Sequence, residues 1–347
     1  MRVLITGVNG MAGSHLAEFL VAMAGVEVFG MYRRFTTMDN LEDLRRANRL
    51  VLVGENAAIK SPAQLADVIA QQQRPGALHL IEAELTDPYS MQTLVGGVRP
   101  ERIFHLAAQS FVASSWTYPV ETLQVNVIGQ VHLLEAVRAA EIDPLIHIAG
   151  SSEEYGAARP EEMPLKETTP LRPMSPYAVS KVAQEMLAFQ YRYSYGLRTV
   201  VTRAFNHTGP RRGDSFVTSN FAKQIAQIER GLHPPKIMVG NLDAQRDWTD
   251  VRDTVRAYWL ALEKGEPGEV YNIGTGVPHS VRDMLQTLLS FSEVPVQVVE
   301  DQARLRPSDL EVLQADAAKF RSLTGWEPLI PFSETLSDLL DYWRERV

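Results

Sequence analysis

Tyr177 and Lys181, in Tyr177-Ala-Val-Ser-Lys181, stand one helical turn apart and therefore share a face. A phenol beside an ammonium group can exchange a proton with a hydroxyl or carbonyl oxygen, the cation drawing the phenol's pKa towards the working range. Ser151, in Gly150-Ser-Ser-Glu-Glu-Tyr-Gly156, offers a hydroxyl for the same oxygen. At the start of the chain an apolar run, Arg2-Val-Leu-Ile-Thr6, enters a loop with Gly7, Gly10 and Gly13, and with Asn9 and Met11 between them. Glycines there let backbone approach a pyrophosphate while helix N–H groups point at the anion. A proton donor and a dinucleotide cradle together describe hydride transfer.

These residues need a scaffold, and the chain alternates strand-like apolar runs with amphipathic helix patterns, as a parallel sheet wrapped by helices requires. Expected strands are Arg2–Thr6, Val26–Met31, Leu78–Glu82, Arg102–Leu106, Leu145–Ala149, Thr199–Ala204 and Val270–Ile273. Expected helices include Ser14–Ala24, Val120–Ala140 and Tyr177–Tyr195. Pro160–Pro176 holds five prolines and reads as a loop feeding the Tyr177 helix. Within Arg34–Leu78, longer than one strand-helix-strand unit needs, Leu41–Leu52 and Ser61–Gln73 read as wholly or partly helical. That region is either decoration on the sheet edge or an arm to a neighbouring subunit. The fold class is α/β: a Rossmann-like doubly wound parallel sheet with a smaller C-terminal α/β substrate domain. Its cofactor-binding part spans 1–207 plus 242–273 and its substrate-binding part 208–241 plus 274–347.

The second expected strand ends in Tyr32-Arg33-Arg34, without the acid that usually takes the ribose 2′-hydroxyl of NAD. Guanidinium suits a 2′-phosphate, so NADP(H) is the expected cofactor, with NAD(H) the alternative. Glu84 and Leu85 could flank the adenine, and Leu106, Ala107 and Ala108 let the cofactor approach a strand end. His105 reads as a buried, hydrogen-bonded histidine.

The chain has 347 residues, 45% hydrophobic and 22% charged, with a formal charge of −8 and no cysteine. That excludes disulfides and thiolate chemistry, and disfavours nucleic acid or an anionic membrane as partner. No stretch is long enough for a membrane span and the apolar start is too short for a signal peptide, so the expected location is cytoplasmic. The eight histidines show no ligand spacing, and no metal is expected.

With these motifs in order, the chain resembles the extended short-chain dehydrogenase/reductases that modify nucleotide sugars. Within them it is similar to the GDP-mannose branch, GDP-mannose 4,6-dehydratases and GDP-4-keto-6-deoxy-D-mannose reductases. Asn206-His-Thr-Gly-Pro210, Phe216-Val-Thr218, Gly240-Asn-Leu242, Arg246-Asp-Trp248 and Arg306-Pro-Ser308 carry that likeness. The resemblance implies a catalytic set of Ser151, Tyr177 and Lys181, with Lys181 also on the nicotinamide ribose. It implies a GDP-sugar held by Gln109, Ser152, Asn206, Arg211, Arg212, Val217, Asn220, Arg246, Arg306 and Asp309. It also implies a homodimer through a four-helix bundle of Val120–Ala140 and Tyr177–Tyr195, with a tetramer through the 35–77 region as the larger alternative.

Glu153 stands at the acid/base position of the resembled dehydratases, and Arg33-Arg34 and Pro210-Arg-Arg-Gly213 also look like theirs. Against that, Ser151 replaces their Thr, Glu154 their Leu, and Thr218-Ser-Asn220 their basic Thr-Arg-Lys. The stretches 221–229, 245–257 and 305–313 look like the reductases. The expected activity is therefore NADPH-dependent reduction of a C4 keto group, the alternative a 4,6-dehydratase recycling NADP. A regulatory protein that kept the fold and lost the chemistry would be expected to lose the Tyr-Lys pair, which this chain retains.

Overall fold

A computed structural model describes residues 1–55, 59–301 and 311–347. The first seven strands in chain order are β1 (Arg2–Thr6), β2 (Glu27–Tyr32), β3 (Leu50–Leu52), β4 (Leu78–Glu82), β5 (Arg102–His105), β6 (Leu145–Ala149) and β7 (Arg198–Ala204). Then come β8 (Asn206–Thr208), β9 (Lys236–Val239), β10 (Gln245–Asp250), β11 (Val270–Ile273), β12 (Pro278–Ser280), β13 (Gln297–Glu300) and β14 (Val312–Leu313).

The main sheet is wholly parallel, in the order β11-β7-β6-β5-β1-β2-β4-β3. Its strands are apolar on both faces because helices cover both. Alternate residues of β1 divide accordingly: Val3 and Ile5 enter one core, Leu4 the other. The winding reverses between β1 and β5, and a doubly wound sheet opens its ligand crevice at that point.

Seven of the eight main strands coincide with expected ones to within a residue. The eighth, β3, lies in a stretch expected to be helical. Only a 3₁₀ turn at Asp39–Leu41 and a short helix at Glu42–Arg46 form there; Asn48, at φ 52°, breaks the helix and turns Leu50–Leu52 into an edge strand on β4. The expected Ser61–Gln73 helix is present as Pro62–Gln72, capped by Ser61. The first helix begins at Met11, three residues before the expected Ser14. The expected Val120–Ala140 helix is divided into Pro119–Leu123, a π-helical turn at Gln124–Ile128, and Gly129–Ala139.

The Tyr177 helix, Pro176–Tyr195, has clear punctuation. Ser175 caps it by accepting from Ala178 N–H, Pro176 begins it, and Gly196 ends it at φ 75°.

In the second unit β10 is the common partner of β8, β12 and β14, and β9 pairs with β13. Helices Val217–Glu229, Val281–Ser290 and Phe332–Arg344 bury Phe221, Ile225, Met284, Leu288, Leu336 and Leu339 in its core. The two units interleave more than the expected partition allows. Within 242–273, β10 pairs with β12 and β14 of 274–347 as well as with β8, so its sheet crosses the expected boundary. Conversely, Phe320 and Trp326 pack into the first core beside Trp259. Among the described residues no helix is long and apolar enough to cross a membrane.

Candidate active site

The strand ends at the reversal point are tied by Thr6. Its Oγ1 accepts from the N–H groups of Leu106 and Ala107, both at 3.1 Å, and shares a 2.9 Å hydrogen bond with His105 Nδ1. His105 is structural: burial, aided by the Lys181 charge, lowers it to about 3 and keeps it neutral. Gly7 sits at φ 70°, and a Cβ there would lie 2.8 Å from Ala107 Cα; one on Gly13 would lie 2.3 Å from Gly7 O. The Met11–Val21 helix has no side-chain cap on its first N–H groups. A cradle that any Cβ would fill, facing an uncapped helix N-terminus, fits a dinucleotide pyrophosphate.

Around the cradle the expected cofactor residues take different parts. Asn9 Nδ2 donates to Thr36 Oγ1 and Thr37 O, fastening the loop after β2. Arg34 lies against Glu82 and over the Phe35 ring. Arg33 instead lines a cavity of about 570 Å³ together with Glu84, Thr86, Tyr118, Val120 and Gln124. Glu84 Oε1 accepts from Thr86 N and Oγ1, and Leu85 is buried.

Ser151 follows β6 and caps the 3₁₀ turn Ser152–Tyr155: its Oγ accepts from Glu153 N–H, and Glu154 Oε1 accepts Ser151 N–H at 2.7 Å. Tyr177 and Lys181 are both buried, and Tyr177, in the first turn of their helix, hydrogen-bonds Ser151. Lys181 Nζ donates to Ala149 O at 2.8 Å and lies 5.7 Å from the centre of the Tyr177 ring.

The electrostatics correct one expectation. Burial dominates at Tyr177 and raises its pKa; the Ser151 hydrogen bond opposes it, Glu153 and Glu154 add to it, and the cation pulling it down is Arg212. Lys181 was expected in that role, but its ammonium is itself desolvated, which lowers it to about 8 against the pull of Glu154.

Sequence reasoning missed Asn126. The π-helical turn directs this fully buried side chain between two site elements: Oδ1 accepts Gln109 N–H, and Nδ2 donates to Gln109 O and Ser180 Oγ. Ser180 in turn donates to Tyr177 O. A π turn at a functional position is a common use of that geometry. The available signal was an Asn flanked by valines on an otherwise core-facing helix.

On the substrate side, Arg212 stacks on Phe216 at 3.3 Å, and Phe216 meets Phe111 edge-on. Burial lowers Arg212 to about 10, with Tyr177 and Tyr258 as its opposing neighbours. Arg211, expected beside it, points elsewhere: at φ 70° it turns to Glu18 at 2.6 Å and Asp43 at 2.7 Å on the cofactor side. It is a bolt between units, and the structure does not bring it to the substrate residues. Gln109 Nε2 donates to Phe111 O, Ser152 is buried beside Ser151, and Asn206 begins β8 opposite Trp248. Val217 opens its helix, and Asn220 is engaged with Asp214 O and Gln224. Arg246 lies on β10, where Asp247 accepts from Thr275, Gly276 and Ala315 and so ties three segments together. Arg306 and Asp309 lie outside the described residues.

Residues 51–339 match the family model described as GDP-mannose 4,6 dehydratase. The chain belongs to the GDP-mannose 4,6-dehydratase family. It is 36% identical over 248 residues to the GDP-6-deoxy-D-mannose reductase of Pseudomonas aeruginosa, covering 72% of this chain and 82% of that one. It is 35% identical to GDP-mannose 4,6 dehydratase 2 of Arabidopsis thaliana, covering 97% of this chain and 85% of that one. Among solved structures, RMD from Pseudomonas aeruginosa complexed with NADPH superposes with a TM-score of 0.79 at 29% identity, over 100% of this chain and 99% of that one. The UDP-glucose 4-epimerase of Thermus thermophilus complexed with NAD gives 0.81 at 29% identity, over 100% of each chain. The protein is thus an NAD(P)-dependent enzyme of the nucleotide-sugar type within this family.

Proposed function

We propose that the protein uses NADPH to reduce the C4 keto group of GDP-4-keto-6-deoxy-D-mannose, giving GDP-6-deoxy-mannose (GDP-rhamnose). NADPH supplies the hydride that reaches C4. Arg33 takes the 2′-phosphate, the Gly7–Gly13 backbone the pyrophosphate, and Lys181 the nicotinamide ribose. Ser151 and Tyr177 hydrogen-bond the keto oxygen. As that oxygen gains charge, the Tyr177 phenol gives it a proton and is reprotonated from solvent. A phenol that burial keeps neutral suits this direction of transfer. Asn126 and Thr6 hold the strand ends and the Tyr177 helix in register for it. Arg212 and Arg246 supply local positive charge for the diphosphate of an anionic substrate in a chain of charge −8.

The observation that carries reductase over dehydratase is the segment after Phe216. Where the resembled dehydratases place a basic pair, Ser219 Oγ donates to Arg212 O and accepts from Trp343 Nε1, and the Asn220 amide is spent on Asp214 and Gln224. These neutral side chains are absorbed into the second unit's own packing.

The dehydratase remains as a second reading on one observation, the Glu153 carboxylate acting on Tyr177. In that reaction Glu153 would take and return the protons for water loss across C5–C6.

A paired assay separates the two. Loss of nicotinamide absorbance with GDP-4-keto-6-deoxymannose and NADPH, and no reaction of GDP-mannose alone, is the expected result. Keto sugar formed from GDP-mannose without added reductant would establish the dehydratase instead.

The partner in solution is a second copy. On the Tyr177 helix Val179, Met186, Phe189 and Tyr193 form an exposed apolar stripe, 46–75% accessible, beside exposed Val120, Leu123 and Ile128. Two such helix pairs would bury one another as a four-helix bundle.

A further inference from the structure

We propose that Glu154 is a positioning residue for this site: its carboxyl group shares one buried proton with Glu185 while its other oxygen fixes the turn that presents Ser151. The proposal rests on the nucleotide-sugar reading above for its effect on turnover, but not for the shared proton.

Glu154 is completely buried under the catalytic residues. Oε1 accepts Ser151 N–H at 2.7 Å, and the space it occupies exists because residue 150 is glycine: a Cβ there would lie 2.7 Å from Oε1. Oε2 has no hydrogen-bond donor among the described residues. Its nearest cation, Arg203 of β7, holds Nε 3.7 Å away, beyond hydrogen-bond length. Arg203 has committed its donors elsewhere. Nε and Nη2 grip Glu185 at 2.8 and 2.6 Å, and Nη1 donates to Tyr155 Oη and Glu167 O.

Glu185 lies one turn beyond Lys181 on the Tyr177 helix, and its carboxylate and that of Glu154 converge on the same Arg203 Nε, at 2.8 and 3.7 Å. Two carboxyl groups therefore face one guanidinium in a pocket closed to water. Both ionised, they would leave a buried negative charge whose free oxygen has no donor, a costly arrangement. One proton on Glu154, given to Glu185, neutralises the cluster and satisfies that oxygen. Burial and Glu185 push the Glu154 carboxyl well up, while Arg203 and the Ser151 N–H oppose them.

The groups around the pair come from several elements: Arg203 on β7, which also binds Tyr155 on the turn and the Glu167 carbonyl on the proline-rich loop, and Tyr177 and Lys181 on the helix, with Glu153 acting on Tyr177. Ionised Glu154 would make Tyr177 a weaker acid and Lys181 a stronger base. The shared proton therefore keeps the phenol ready to donate, and losing it at high pH slows the reaction.

Two variants test this. Glu154→Gln keeps an acceptor for Ser151 and stays neutral at any pH. It should retain kcat to within about twofold at neutral pH, move the alkaline limb of kcat to higher pH, and lose one protonated-carboxyl C=O band from the infrared spectrum. Glu154→Leu removes the acceptor and should lower kcat at least about tenfold with KM for NADPH unchanged. An infrared spectrum unchanged by Glu154→Gln, or a pH profile that superimposes on the wild type, overturns the proposal. The carboxyl band is read without substrate. If it behaves as expected while neither GDP-sugar assay shows turnover, the assignment of the reaction fails and the shared proton stands.

Discussion

Tyr177 owes its proton affinity to burial more than to any neighbour, and this decides which way it works best. On the proposed reading, a neutral phenol hydrogen-bonded to Ser151 would be a donor to a developing alkoxide. Tyr177→Phe removes that donor and keeps the ring. It should reduce kcat by about 10²–10⁴-fold while NADPH affinity, followed by quenching of protein fluorescence, stays within about twofold. An unchanged kcat would sink the mechanism. Neighbouring residues of one type can have opposite fates. Arg211 and Arg212 diverge, one to two carboxylates and one to the site, and Glu153 and Glu154 diverge likewise, one on the Tyr177 side and one fully buried.

At the scale of elements, the Gly209–Gly213 loop is bound to the cofactor half by Arg211 through Glu18 on the first helix and Asp43 on the short second one, and by Pro210 O through His15. Arg211→Met should cost roughly 1–2 kcal/mol of stability, since both acids keep partial access to water, and should raise KM for the GDP-sugar more than for NADPH. Denaturant unfolding and initial rates check both. The strands β1, β2 and β4 to β7 were legible because buried parallel strands are near-continuous apolar runs closed by turns. So was the Tyr177 helix, because Ser175, Pro176 and Gly196 mark its ends. What was not legible depended on conformations that residue types do not announce. The positive φ at Asn48 made an edge strand from a helical pattern, and the one at Arg211 took a cation out of the site. The π turn aimed Asn126 at Gln109 and Ser180 although its surroundings read as ordinary helix. The burial of Glu154 required Arg203 and Glu185, which are distant in sequence.

For the whole molecule, five histidines held below their ordinary pKa, His15, His79, His105, His147 and His207, govern its response to acid. Burial, helped by Arg211 at His15 and Arg212 at His207, lowers these two to about 4; burial lowers His105 and His147 to about 3, helped by Lys181 at the first and by His105 and Lys181 at the second, and burial also lowers His79. An unfolded histidine titrates near 6.5, so below that pH the unfolded chain binds more protons than the native one. The stability these groups contribute is present above about pH 6.5 and is lost as the pH falls towards their native values, at up to about 1.4 kcal/mol per pH unit for each. Melting curves should therefore shift steadily down between about pH 6.5 and about pH 4, and a flat melting temperature across that range would refute this assignment. For the proposed dimer, Met186→Glu with Phe189→Glu puts two charges on the apolar stripe and should yield a monomer by sedimentation without changing the circular dichroism. The interleaving of the two units has a consequence for synthesis. Strands β1 to β7 have left the ribosome once Ala204 has, yet the core on one of their faces is completed by Trp259, Phe320 and Trp326. Until Trp326 has emerged that face stays unsealed, so chains cut short between Ala204 and Trp326 should expose apolar surface and aggregate.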